Sequence, residues 1–339
     1  MRQWMMKSGV TDADGLVLEE VPVPEPGPGE VRIRVRAVSI NYRDQLVLME
    51  GPFGRLEGRD LVPLSDVAGE IDALGEGVKG WSVSDRVTNL HFREWEDGPA
   101  PTGGTDLGLG ALDDDGMLAE YVVLPAGRVA RAPRNLDFAE SATLPVAGVT
   151  AWHSVVADRP INEGQKVLIL GSGGVALFSL QLARAAGAEV FAVVRRDEQG
   201  ERLKEMGVSA FVNSTETPEW GGAILEVSGG GVQKAVDTVG AGTLNQSIGS
   251  LGSGGEVAFV GLFEMDGDPV DVMSLMGKTA SLRGVAVGSH RMHRDLIAEV
   301  EKQDIHPVID SRFVFDNARE AFRTQGLRGI FGKVVIELS

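Results

Sequence analysis

The sequence predicts an α/β chain, with a doubly wound parallel sheet in its second half beside a separate, mostly β part. Three observations predict it. Apolar and charged residues alternate with period two within 17–124, strand and helix patterns alternate from about residue 137, and a glycine-rich turn joins the first strand of that second half to its first helix. A chain of 339 residues is long enough for two domains of about 150 residues each.

In the first part, Val31-Arg32-Ile33-Arg34-Val35-Arg36-Ala37-Val38 has the pattern of a half-buried strand. The preceding Pro22–Glu30 stretch is turn-rich and cannot be helix. Val67–Gly75 and Asp85–Leu90 read as two further strands, so that 17–124 is expected to be all-β. Segment 97–116 is expected to be a loop or lobe, too polar and glycine-rich to hold core.

In the second part, Val167–Leu170 reads as a buried strand and Ala176–Ala186 as a helix stopped at Gly187. Val190–Val194 is the next strand, followed by a helix over 198–206, and more strands are expected at 210–212, 234–237, 256–260 and 281–285. This spacing means βαβ units and a parallel sheet covered on both faces. After about residue 288 the pattern changes to helices at 294–302 and 316–325 and a closing strand at 333–336.

Composition narrows the function. With 32 basic and 49 acidic residues the net charge is −17, which disfavours nucleic acid and anionic membrane surfaces as partners. There is no cysteine, which removes disulfides, thiolate nucleophiles and every zinc site that needs Cys. No apolar run approaches a membrane span, and Met1–Lys7 runs into polar residues without a secretory core, so the chain reads as cytoplasmic.

Gly171-Ser172-Gly173-Gly174-Val175-Ala176 fits G-x-G-x-x-G/A directly between a strand and a helix, the Rossmann dinucleotide context. Gly171 makes the tight turn, Gly173 lets a pyrophosphate approach the backbone at the helix N-terminus, and Ala176 permits close packing of helix on strand. The ribose-reading position falls roughly 20 residues further on. Val193-Val194-Arg195-Arg196 stands there without an acid before Asp197. Two cations at a helix start oppose its dipole unless an anion joins them, and the 2′-phosphate of NADP(H) is that anion.

The chain resembles the medium-chain dehydrogenase/reductase superfamily over nearly its whole length. The resemblance rests on Pro28-Gly29-Glu30-Val31, Asn41-Tyr42-Arg43-Asp44, Gly75-Glu76-Gly77-Val78 with Asp85-Arg86-Val87, the glycine-rich turn, and Gly332-Lys333-Val334-Val335. Asn41–Asp44 and Leu144–Trp152 resemble its zinc-free branch of quinone reductases, enoyl reductases and metal-independent alcohol dehydrogenases. It implies a GroES-like substrate domain from both chain ends (1–127 and 288–339), a Rossmann NADP-binding domain (128–287), a reaction site in the cleft between them, and a homodimer through the sheet edge near 265–287.

Where zinc-dependent relatives carry catalytic Cys, His and Cys, the matching positions are Asn41, Ser65 and Val146, so no metal is expected. His290 and His293 are read as surface residues. The resemblance places His91 at the substrate pocket as a candidate proton donor, Tyr42 abuts Asn41 and offers its phenol as another, and Asp44 is an orienting residue. It gives Thr150 to the nicotinamide, the Gly261-Leu262 backbone to its carboxamide and Lys333 to the pyrophosphate; Phe92, Trp95 and Phe263 are candidate pocket walls. The expected activity is hydride transfer from NADPH to a quinone or an activated C=C/C=O of a small carbonyl compound. A zinc-free NADP-dependent alcohol dehydrogenase and a non-enzymatic NADPH-binding protein are the alternatives.

Overall fold

Residues 1–49, 58–101, 106–327 and 329–339 are described by the computed structural model. Residues 102–105 of the glycine-rich 97–116 segment lie outside them. The chain divides into two compact units, residues 1–149 with 289–339, and residues 150–288.

Unit 1 begins with an antiparallel pair, β1 (Arg2–Met6) and β2 (Leu16–Glu20). The arginine-rich run forms β3 (Glu30–Ile40). Val31, Ile33 and Val35 face the core, while Arg32 and Arg36 pair with Asp72 and Glu70 on the neighbouring strand. Helix α1 (Tyr42–Leu48) follows, then β4 (Asp66–Leu74), β5 (Arg86–Asn89), β6 (Tyr121–Pro125), β7 (Val129–Arg131) and the short α2 (Phe138–Ser141).

Two expectations for this stretch need correction. The all-β reading of 17–124 misses α1, which starts where the Asn41 side chain and Asp44 form a reciprocal cap: Asn41 N donates to Asp44 Oδ2 at 2.7 Å. The 97–116 segment does contribute core, because Leu109 and Ala111 are buried among the apolar side chains of unit 1. Residues 128–149 lie in this unit, where β7 pairs with β5 and α2 packs on β3 and β4. A π-helical turn, Leu144–Gly148, closes the segment.

Unit 2 is a six-stranded, all-parallel sheet. In chain order it comprises α3 (from Val149 to Val155), β8 (Lys166–Leu170), α4 (Gly174–Ala185), β9 (Glu189–Val194), α5 (Asp197–Glu205), β10 (Ala210–Asn213), α6 (Trp220–Val227), β11 (Val232–Asp237), α7 (Leu244–Gly249), β12 (Leu251–Phe259), α8 (Val272–Gly277) and β13 (Ser281–Gly284). The strand order is β10-β9-β8-β11-β12-β13. Strand β8 is almost wholly buried, as a central strand covered on both faces should be.

The chain then returns to unit 1 with α9 (His290–Gln303), β14 (Ile309–Val314), α10 (Ala318–Gln325) and β15 (Lys333–Glu337). Ser289 caps α9 through Met292 N. The sheet order in unit 1 is β14-β15-β3-β4-β5-β7, with β6 also paired to β3. His290 and His293 are not surface residues as expected. Both are buried on the inner face of α9, with His290 between Glu96 (3.0 Å) and the Phe92 carbonyl (2.8 Å), and His293 3.3 Å from Thr88 Oγ1.

Candidate active site

In unit 2 the turn after β8 is built for a backbone-bound ligand. Gly171 holds φ +76°, a left-handed conformation that side chains disfavour, and its N–H donates to Val193 O at 2.7 Å. Gly173 is the N-cap of α4, followed by Gly174 and Val175 in the first turn. A Cβ added at Gly173 would meet no atom within 4 Å, so the space over these amides is open. Ala176 is buried against the sheet. Helix start, open cradle and glycine pattern together fit a dinucleotide pyrophosphate.

Arg195 and Arg196 follow β9 and are exposed, with Arg196 as the N-cap of α5. Gln199, one turn into α5, donates to Ser172 Oγ at 2.8 Å. On the other side of β8, Thr238 Oγ1 donates to the Leu170 carbonyl at 2.8 Å. Gly261 packs so closely on the 239–240 backbone that a Cβ there would lie 2.2 Å from Gly240 N. Leu262 is half-buried, Phe263 is exposed, and Thr150 is buried in the first turn of α3.

In unit 1 a polar cluster is buried where α1, β4 and β15 meet. Asn41 Nδ2 donates to Asp66 Oδ2 at 2.8 Å and lies 3.4 Å from Ser65 Oγ, which donates to Asp66 Oδ1 at 3.1 Å. The Lys333 ammonium donates to Asn41 Oδ1 and to the Ile40 carbonyl. Lys333 is only 4% exposed and Asp66 is fully buried. Burial pushes the Asp66 carboxyl up to about 7 against the pull of Lys333 and Asn41, and burial likewise pushes the Lys333 ammonium down. Leu64, just before this pair, carries φ +74°, a strained conformation for a branched side chain.

Lys333, which the resemblance gives to the pyrophosphate, donates here to groups of its own unit. Asp44 accepts from Asn41 N and from Arg43, whose guanidinium also reaches the carbonyls of Leu107 and Leu109. Tyr42 is half-buried at the start of α1.

His91 is buried, its ring edge-on to Phe92 at 4.7 Å, and its Nδ1 has no hydrogen-bond partner among the described residues. Burial, reinforced by Arg43 and Arg128, holds the ring well below the usual imidazole range, so it is neutral at pH 7. Trp95 is buried, and its indole donates to Gly98 O at 2.9 Å.

The donor set of the buried cluster does not fit zinc. An amide and a hydroxyl replace thiolate and imidazole, and the Lys333 ammonium is already buried against the amide oxygen. Among the described residues no three His, Asp or Glu side chains converge as a metal site requires. Val146 sits in the π-helical turn and offers no ligand atom.

Two family models match the chain: an alcohol dehydrogenase GroES-like domain over residues 27–134 and a zinc-binding dehydrogenase over 174–302. A zinc-type alcohol dehydrogenase-like protein of Schizosaccharomyces pombe is 38% identical over 309 residues, covering 89% of each chain. The chain belongs to the medium-chain dehydrogenase/reductase family. It is an oxidoreductase of alcohol dehydrogenase-like type. A solved structure from Sinorhizobium meliloti 1021, named for the alcohol dehydrogenases, superposes with a TM-score of 0.90 at 37% identity over the full length of both chains. An acryloyl-coenzyme A reductase of Sulfurisphaera tokodaii is 28% identical, covering 95% of this chain and 96% of its own. The family uses NAD, NADP and zinc.

Sequence reasoning missed Asp66 and Asp237, both fully buried carboxylates. The signal was an acid at the boundary of an apolar strand: Ser65-Asp66-Val67 opens β4, and Val236-Asp237-Thr238 closes β11.

Proposed function

We propose that this oxidoreductase is a zinc-independent, NADPH-dependent reductase acting on a quinone or on the activated C=C or C=O of a small carbonyl compound. The observation that carries this reading is the Lys333 ammonium on Asn41 Oδ1, beside Ser65 and Asp66. A divalent cation there would face a buried like charge, with an amide and a hydroxyl in place of thiolate and imidazole. Without a Lewis acid a simple ketone lacks the strong electrophile that a developing alkoxide needs. A conjugated acceptor spreads its charge as an enolate or hydroquinone anion, which hydrogen-bond donors suffice to stabilise.

The bound nicotinamide supplies the hydride. The amides at Gly173–Val175 and the α4 N-terminus hold the pyrophosphate, and Ser172 lies in the same turn. Arg195 and Arg196 pair with the 2′-phosphate, and the Gly261-Leu262 backbone and Thr150 position the nicotinamide end. Tyr42 and His91 are the proton-donor candidates, with Asn41 and Asp44 fixing the backbone around them. The exposed edge of β13, beside the apolar side chains of α8, supports a homodimer.

A zinc-free NADP-dependent alcohol dehydrogenase is the second reading; the names of the Schizosaccharomyces and Sinorhizobium proteins support its alcohol dehydrogenase part alone. Turnover of NADPH with quinones and enones, set against NADP reduction with secondary alcohols, decides between them. Binding of NADPH without turnover on either panel identifies a non-enzymatic binder. Activity is expected to survive prolonged chelation, with no stoichiometric zinc on elemental analysis. Stoichiometric zinc whose removal abolishes turnover overturns the zinc-independent assignment.

A further inference from the structure

The order β10-β9-β8-β11-β12-β13 reverses direction between β8 and β11. Open parallel sheets take their ligands at the carboxyl ends of the strands flanking such a reversal. The glycine-rich turn follows β8, and Asp237 is the last residue of β11.

Asp237 organises two loops at once. Its Oδ1 accepts from Val239 N at 3.0 Å, Gly240 N at 3.1 Å and Thr243 Oγ1 at 2.9 Å. Its Oδ2 accepts from Thr243 Oγ1 at 2.9 Å and Ser247 Oγ at 2.7 Å. Its main-chain carbonyl accepts from Val260 N and Gly261 N, both at 2.9 Å. The loops are then stitched together: Val239 O accepts from Phe263 N and Glu264 N, and Glu264 O from Ala241 N. Gly240 holds φ +139° against the Glu264 backbone, where any Cβ would collide. Charge-assisted bonds to a buried carboxylate with this many donors are strong and directional.

We infer that Asp237 is a positioning residue for the nicotinamide end of the cofactor, fixing the 238–240 loop against the Gly261-Leu262 backbone while leaving the adenylate end untouched. The inference rests on the cofactor reading above and assigns Asp237 no contact with the reacting atoms. Asparagine keeps the Oδ1 acceptor and meets two hydroxyls able to reverse at the other atom, so Asp237→Asn preserves most of the clamp. Asp237→Ala removes it and leaves two backbone amides without their acceptor.

The test measures dissociation constants for NADPH and for adenosine 2′,5′-bisphosphate, which lacks the nicotinamide. In Asp237→Ala the NADPH constant should rise at least tenfold while that for the bisphosphate changes less than twofold. Asp237→Asn should restore most of the difference. If Asp237→Ala does not fold, Asp237→Asn and Ser247→Ala carry the test, with a smaller rise for NADPH, at least threefold, and again none for the bisphosphate. Parallel loss of both ligands shows a merely structural carboxylate, and no change in either also overturns the inference. Failure of the native protein to bind either ligand, with NADH and AMP also inert, overturns the cofactor reading itself and is distinct from both outcomes.

Discussion

Gln199 Nε2 donates to Ser172 Oγ at 2.8 Å, tying the helix that follows Arg195 and Arg196 to the glycine-rich turn. The two arginines are therefore anchored at a set distance from the turn proposed to hold the pyrophosphate, although both side chains are exposed. A charge-assisted bond from one guanidinium to a phosphate is worth roughly 1.5–3 kcal/mol, on the order of ten- to a hundredfold in affinity. Arg195→Ala should raise KM for NADPH at least tenfold, leave NADH kinetics nearly unchanged and weaken the salt dependence of NADPH binding. Equal use of both cofactors by the native protein, or an unaltered preference in the double alanine variant, identifies the pair as ordinary solvated charges.

Gly173→Val separates ligand binding from folding. Its Cβ enters open space, so the fold should tolerate the change, at a cost of about 1 kcal/mol or less for replacing glycine at an N-cap. The branched side chain would occupy the volume through which a pyrophosphate reaches the α4 amides. Dinucleotide binding should fall below detection while the melting temperature shifts by only a few degrees. Normal NADPH affinity in the folded variant contradicts the placement of the site.

His293 gives a pH signature. Burial depresses its imidazole to about 3, with the nearby His290 and Arg294 adding to the effect. The unfolded chain binds a proton near pH 6.5 that the folded chain refuses, so the stability from neutral His293 is complete above about pH 6.5 and is lost as pH falls toward 3. Between pH 7.5 and 5 the loss is on the order of 2 kcal/mol. His293→Gln can keep a polar partner for Thr88 without titrating, and should flatten this limb in denaturant titrations at pH 5 and 7.5. An acid limb of equal slope in both proteins rules the residue out.

Met273 and Met276 are each 66% exposed on α8, which precedes β13, the last strand of the sheet. If this face joins two copies, the native protein sediments at twice the chain mass. Met273→Asp with Met276→Asp should then yield monomers with an intact circular dichroism spectrum. A native monomer, or a dimer indifferent to both substitutions, removes this face from consideration.

Features set by local sequence were legible without coordinates. The alternation in Val31–Val38 and the Gly171–Ala176 turn each depend on residues close in the chain, and both match the elements found. Features set by distant partners were not. The burial of His290 and His293 depends on Phe92, Glu96 and Thr88, about two hundred residues earlier in the chain. Lys333 meets Asn41 across a separation of 292 residues, so no spacing rule turns its ammonium toward that amide. Helix α1 was hidden because its capping pair follows directly on a strongly alternating strand.

The pairing of β15 with β3 has a consequence for how the chain is made. Residues 150–288 form a contiguous unit whose contacts can all close as soon as that segment has been synthesised. Unit 1 has no such freedom, because the partner strand for one edge of β3 is translated only after the whole of unit 2. Until then Ala37–Ile40 of β3 lacks its partner on that edge, the kind of surface that recruits strands from other chains. The same late strand delivers Lys333 to Asn41. Folding order therefore makes the buried polar cluster among the last features of unit 1 to form.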